Sequence, residues 1–350
     1  MTRPYAGTWT ALITPFTENG EVDYEALKNL VQKQIKGGVT GVVPLGTTGE
    51  SPTITPDEMR KVFETVVDIA KGKIKVMAGT GSNCTSHAVD QTKIAKETGV
   101  DACLVVCPYY NKPTQEGLRL HFLEIAKVGL PIIVYNIKGR TGINMTTDTL
   151  MKLAENEMIA GVKEASGDLA QMKEVIDRRP DHFTVLSGDD GLTLELIKLG
   201  GDGVVSVASN IIPREVSEMV NHARENRLEE AAKANDHLRA IFKNLFVETN
   251  PIPVKYCSHK MGLCGLNYRL PMCSPLDKSK NILNELMNSY NLSNQGTLKF
   301  CIIQRKRFGK QLISSLPHFS CMKKKNFDQI AKFSEIPSGN TFLIFGLFMP

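Results

Sequence analysis

Eight times between Thr8 and Val207 a short run rich in Val, Ile or Leu precedes a longer stretch of helical character, and this alternation restricts the fold more than any other feature of the chain. The runs are Thr8–Ile13, Gly41–Leu45, Ile74–Ala78, Ala102–Cys107, Ile132–Tyr135, Ile159–Lys163, Phe183–Leu186 and Gly203–Val207. Strands separated by helices call for a parallel sheet, because each crossover returns the chain to the end where the previous strand began. Between the runs, Leu27, Leu30, Val31 and Ile35 share one helical face, as do Met59, Val62, Phe63, Val66 and Ala70. Thr55-Pro56-Asp57-Glu58 opens the second of these helices with a capping box and a proline at the first helical position. Eight strand–helix units in about 225 residues predict an α/β fold, a closed (β/α)₈ TIM barrel over 1–226. The open doubly wound sheet is the alternative, but no Gly-x-Gly-x-x-Gly follows the first run.

Residues 227–292 are rich in helix formers, such as Leu228-Glu229-Glu230-Ala231-Ala232-Lys233, and are interrupted by Pro251, Pro253, Pro271 and Pro275. They predict a C-terminal helical subdomain. From 293 to 350 the character changes: eight of the chain's fourteen Phe lie there beside Arg305-Lys306-Arg307 and Lys323-Lys324-Lys325, without a helical or strand period. The apolar ending Thr341 to Phe348 is about half the length of a spanning helix. A basic tail with an apolar end can touch a membrane surface, but the lack of any period favours an unfolded or out-of-frame extension. That tail also accounts for the net charge of +5, since it holds nine Lys/Arg and two Asp/Glu. The preceding residues carry 33 bases against 35 acids, so nothing points to nucleic acid. Six of the eight cysteines lie before the tail and no pair has CxxC spacing, which argues against zinc and redox sites. The start is too short and polar for a signal peptide or membrane span, and a reducing cytoplasmic setting is the expectation.

Barrel chemistry sits at the C-terminal ends of strands. Lys163 ends the run Ile159-Ala160-Gly161-Val162, where burial would lower its pKa and leave the neutral amine that Schiff-base chemistry on a carbonyl requires. The position equally fits a lysine paired with Glu164 or another acid. Tyr135 ends the preceding run, either as a proton shuttle beside Lys163 or as a packing residue. Gly46-Thr47-Thr48-Gly49 offers backbone N–H groups and two hydroxyls to a carboxylate, and lacks the Gly-Lys-Ser/Thr ending of a phosphate loop. Arg140 presents a planar fork to a second carboxylate, or lies on the surface.

Together these residues resemble the pyruvate-dependent class I aldolases, the family that includes dihydrodipicolinate synthase and N-acetylneuraminate lyase. The similarity runs from about Tyr5 to Leu292. It is carried by Gly46-Thr47-Thr48-Gly49-Glu50, Pro108-Tyr109-Tyr110-Asn111, Tyr135-Asn136 with Gly139-Arg140-Thr141-Gly142, Gly161-Val162-Lys163-Glu164-Ala165, and Ser187-Gly188-Asp189-Asp190. The resemblance implies Lys163 as Schiff-base lysine and Tyr135 as proton shuttle. It implies that Thr47 links Tyr135 to Tyr110, whose side chain crosses into a neighbouring subunit, so a homotetramer built as a dimer of dimers is expected. Thr47 and Thr48 would hold the pyruvate carboxylate and Arg140 that of the aldehyde, with Gly188 and Val205 completing the substrate site. No metal or redox cofactor is implied.

Thr48, the pair Tyr109-Tyr110 and Arg140 favour the branch of the family that joins pyruvate to aspartate semialdehyde on the diaminopimelate route to lysine. A lyase acting on N-acetylneuraminate or a 2-keto-3-deoxy sugar acid is the alternative, as is a non-catalytic barrel that senses a metabolite. Two positions depart from the family pattern. Lys138 stands where proline is common before the Arg140 turn, which is expected to loosen that loop but leaves the arginine in register. In the cleft where sensitive members bind lysine, Ser51, Asn83 and Tyr109 match, but His87 replaces a glutamate, and Pro56 and Met59 stand at positions often polar. Loss of a carboxylate partner for an amino group predicts weak or absent lysine inhibition.

Overall fold

The computed structural model of the chain describes residues 3–292; the expectations for the tail at 293–350 fall outside these residues. Eight parallel strands close a barrel in sequence order: β1 Gly7–Ala11, β2 Gly41–Val43, β3 Lys75–Gly79, β4 Ala102–Val106, β5 Ile132–Asn136, β6 Ile159–Glu164, β7 Thr184–Ser187 and β8 Gly203–Ser206. β8 pairs with β1 through Trp9↔Val205, so no strand edge is left free and the open-sheet alternative fails. The observed strands match the eight expected runs to within two residues at either end.

Helices α1 Tyr24–Lys36, α2 Pro56–Ala70, α3 Thr85–Glu97, α4 Gln115–Ala126, α5 Lys138–Thr141, α6 Thr147–Ala154, α7 Leu169–Arg178, α8 Thr193–Lys198 and α9 Pro213–Arg224 lie between and after the strands. α10 Leu228–Asn244, α11 Ile252–Lys260 and α12 Asp277–Ser289 follow. The Thr55–Glu58 capping box forms, and Met59, Val62, Phe63, Val66 and Ala70 of α2 are all buried as their periodicity requires. Among the described residues no helix is long and apolar enough to cross a membrane, and all six cysteines are free.

Side chains alternate between two cores. In β5, Ile132 and Val134 pack outward under the helices, whereas Ile133 and Tyr135 point into the barrel. The chain's single tryptophan, Trp9, lies fully buried in that interior and donates its indole N–H to the Tyr5 carbonyl at 2.7 Å.

One irregularity aims the site. The register between β5 and β6 shifts, with Ile132 opposite Ile159 but Ile133 opposite Gly161. Two residues of β6 thus stand against one step of β5, which is a β-bulge. Strict alternation would put Lys163 on the same outward face as Ile159. With the bulge, Ile159 and Val162 face the helices, and Lys163 turns inward beside Tyr135. Gly161 makes this possible, because a Cβ there would stand 2.3 Å from the Thr184 carbonyl oxygen.

Candidate active site

The register places Tyr135 of β5 directly opposite Lys163 of β6 at the C-terminal end of the barrel. The Lys163 ammonium nitrogen lies 4.0 Å from the centroid of the Tyr135 ring, over its face, and both side chains are buried. Pairing of Lys163 with Glu164 fails on geometry. Glu164 is the next residue along the strand and projects oppositely, where it accepts from the Ser166 N–H at 2.7 Å and from Asn136 Nδ2 at 3.2 Å.

Burial lowers the pKa of Lys163 to about 7; the Arg140 guanidinium pushes the same way, while Asp190 opposes both. Burial raises that of the Tyr135 phenol well above its ordinary value, against a smaller opposing pull from Arg140, so the hydroxyl stays protonated at neutral pH. A neutral amine and a protonated phenol at one strand end supply a nucleophile and a proton donor.

Thr47, Thr48, Tyr135, Arg140, Lys163 and Gly188 line one cavity of about 60 Å³, far below the ~300–1,000 Å³ typical of drug-sized ligands. Such a space suits a small substrate. Gly188 is required sterically, since a Cβ at this position would come within 3.1 Å of the Lys163 Cε and 2.6 Å of the Ala165 Cβ. Arg140 projects from the short turn α5 and donates from Nη2 to the Asn250 carbonyl at 2.9 Å, which holds its fork over the mouth. The turn itself closes normally after Lys138, with the Arg140 and Thr141 N–H groups both donating to the Ile137 carbonyl.

The Thr47–Thr48 segment is a 3₁₀ turn spanning Thr47–Gly49. Its glycines do not supply the left-handed backbone that such loops often need; Leu45 (φ 54°) and Glu50 (φ 55°) do. Gly49 instead lets the turn lie against the segment that follows β1, where a Cβ would stand 3.2 Å from the Leu12 carbonyl oxygen and where the Gly49 carbonyl accepts from the Thr14 hydroxyl at 2.7 Å.

Other expected residues lie elsewhere. Val205 sits deeper in the barrel interior, and Val207, two residues further on, reaches the cavity. Tyr110 is 89% exposed with a left-handed backbone (φ 73°), so it takes no part in its own chain's cavity. Ser51, Met59 and Tyr109 line a larger cavity of about 290 Å³ that Arg140 and Thr47 also border. Near it, the Asn83 carbonyl accepts from Asn111 Nδ2 at 2.8 Å. His87 is exposed on α3 and Pro56 begins α2.

The sequence reading assigned no role to Asn250, Phe246 or Asp190. Asn250 donates from Nδ2 to the Thr48 hydroxyl at 2.9 Å across 202 residues of chain, and Phe246 joins the lining. Asp190 is buried and accepts from the Val207 and Ala208 N–H groups at 3.0 and 2.9 Å; burial raises its pKa to about 6. The prolines beside Asn250 read as helix breakers and masked it.

Residues 4–289 match the model of the dihydrodipicolinate synthetase family. The 4-hydroxy-tetrahydrodipicolinate synthase of Chlorobium phaeobacteroides is 47% identical over 293 residues, covering 83% of this chain and 99% of its own. The crystal structure of dihydrodipicolinate synthase from Aquifex aeolicus superposes with a TM-score of 0.82 at 46% identity, covering 83% of this chain and all of that one. The enzyme from Cyanidioschyzon merolae, solved with lysine bound, gives a TM-score of 0.81 at 41% identity over 83% of this chain and all of its own.

Proposed function

The chain belongs to the dihydrodipicolinate synthetase family, and from that membership we infer that it condenses pyruvate with L-aspartate 4-semialdehyde to give 4-hydroxy-tetrahydrodipicolinate. The observation that carries the mechanism is the buried Lys163 amine, neutral in part near pH 7, lying against the protonated Tyr135. The Lys163 nitrogen attacks the ketone carbon of pyruvate and forms a carbinolamine. Tyr135 donates the proton with which hydroxide departs as water, leaving an iminium. The iminium withdraws electrons from the adjacent methyl group, which loses a proton to give an enamine. The enamine carbon attacks the aldehyde carbon of the second substrate. Attack of that substrate's amino group on the iminium carbon then closes the ring and releases Lys163. In this reading Thr47 and Thr48 hold the pyruvate carboxylate, Arg140 holds that of the aldehyde, and the iminium serves as electron sink, so no metal or redox cofactor is required.

The exposed Tyr110 supports an assembly in which a neighbouring copy receives this ring and completes the proton path from Tyr135 through Thr47. We read the active form as a homotetramer, a dimer of dimers, working in the cytoplasm, where free thiols persist. Lysine binds the Cyanidioschyzon merolae relative; here the exposed His87 in place of a carboxylate supports weak or absent control by lysine.

Borohydride reduction in the presence of pyruvate is expected to fix a pyruvyl group on the peptide bearing Lys163. Labelling of another lysine, or none, would overturn the mechanism. A panel of aldehydes tests the second substrate: condensation with a sugar-acid aldehyde but not with aspartate semialdehyde would replace it.

A further inference from the structure

A second lysine, Lys255, is more deeply buried than Lys163. It lies on α11 with no exposed surface, and its ammonium donates to Glu50 Oε1 at 2.5 Å; the Glu50 side chain is 1% exposed. Phe16 and Tyr268 close around the ammonium, their ring centroids 4.1 and 5.0 Å away. The second Glu50 oxygen accepts from the Arg269 N–H at 3.3 Å. Glu50 is also the residue that ends the Thr47–Gly49 turn in the left-handed region, at φ 55°. Glycine takes that conformation freely, and glutamate only against a steric penalty. A glutamate here therefore has a use for its carboxylate, which is the pull exerted by Lys255.

Fold stability alone gives no reason for the pair, because apolar side chains of similar volume generally replace a buried ion pair without loss. An apolar pair cannot fix a backbone turn by a directed bond. We propose that Lys255 is a positioning residue for the pyruvate-carboxylate loop: by anchoring Glu50 it sets the turn that presents Thr47 and Thr48 to the Lys163 cavity. The proposal rests on the reading of Thr47 and Thr48 as carboxylate ligands. Thr14 on Gly49 and Asn250 on Thr48 tie the same turn, but neither reaches its left-handed end.

The test uses two variants of the full chain. Glu50→Gln with Lys255→Met removes both charges together, so no ion is left buried without a partner. Glu50→Asp keeps both charges and shortens the tether by one methylene. Each is measured for Tm, for KM of pyruvate and of the aldehyde, and for borohydride trapping across pyruvate concentrations. The expected result is a rise of roughly 10-fold or more in pyruvate KM and in the half-trapping concentration for the double variant, with a smaller rise for Glu50→Asp. Aldehyde KM should stay within about twofold in both. Pyruvate KM unchanged in either folded variant, or equal rises for both substrates, overturns the proposal. Failure of the unaltered protein to trap pyruvate on Lys163 would instead defeat the functional reading, and the two failures are distinguishable.

Discussion

The depressed pKa of Lys163 makes a quantitative prediction on two observables. At a pKa of about 7, roughly half of the amine is neutral at pH 7, against roughly one part in 3,000 for a lysine at the ordinary 10.5. The single-turnover rate of pyruvate imine formation should therefore fall about 10-fold between pH 8 and pH 6 and level off above pH 8. An unperturbed lysine would keep gaining about 10-fold per pH unit through pH 9.

The same shift appears in stability. Between pH 7 and 10.5 the unfolded chain holds a proton on this lysine that the folded chain does not, so the Lys163 contribution to stability rises with pH across that window. Below pH 7 the full penalty applies, about 5 kcal/mol from 3.5 pKa units at about 1.4 kcal/mol each. Lys163→Met removes it. Chemical denaturation of parent and variant at pH 7 and pH 10 should show the variant's advantage shrinking by several kcal/mol at the higher pH. This window stays clear of Asp190, which titrates near pH 6. A stability difference independent of pH, together with an imine rate still climbing steeply above pH 8, would refute the assignment of a near-neutral amine.

Tyr135→Phe is expected to lower turnover by roughly 10²–10⁴-fold, measured at saturating substrates, because water loss from the carbinolamine loses its proton donor. Gly161→Ala should reduce both Tm and Lys163 trapping, since its methyl would meet the Thr184 carbonyl at 2.3 Å and force β6 out of register; full trapping at parental Tm would show that the bulge does not aim the lysine. Millimolar lysine should leave the rate unchanged, and strong inhibition at low lysine would show that His87 does not weaken the cleft. A chain stopped after Leu292 should keep its cooperative unfolding and its activity, because the eight strands of the barrel and, among the described residues, those that line the cavity precede that point.

Strand and helix positions were legible because hydrophobic period and capping chemistry are local, as Thr55–Glu58 and the buried face of α2 illustrate. The paired rim positions of Tyr135 and Lys163 could be read from where their apolar runs end. The direction in which Lys163 points could not. Counting by twos from Ile159 sends it outward, and only the bulge permitted by Gly161 reverses that parity. Asn250 and Lys255 escaped for a different reason. Their partners Thr48 and Glu50 lie 202 and 205 residues earlier, and no local period records so distant a contact. The left-handed positions that flank the Thr47–Thr48 turn, Leu45 and Glu50, carry no glycine signal and could not be read locally.

The ties from Asn250, Lys255 and Arg269 also order events during synthesis. A nascent chain has all eight strand segments once Ser206 has been added, but these segments and the residues that tie the site belong to one compact unit, and domains fold as units. At that moment Thr48 lacks its donor, Glu50 lacks its cation and Arg140 lacks the carbonyl that steadies it. At ~5–20 residues per second, the 63 residues from Ser206 to Arg269 take about 3–13 seconds to appear. A ribosome-bound chain thus carries every strand segment of the barrel for seconds before the residues that complete the pocket have been made.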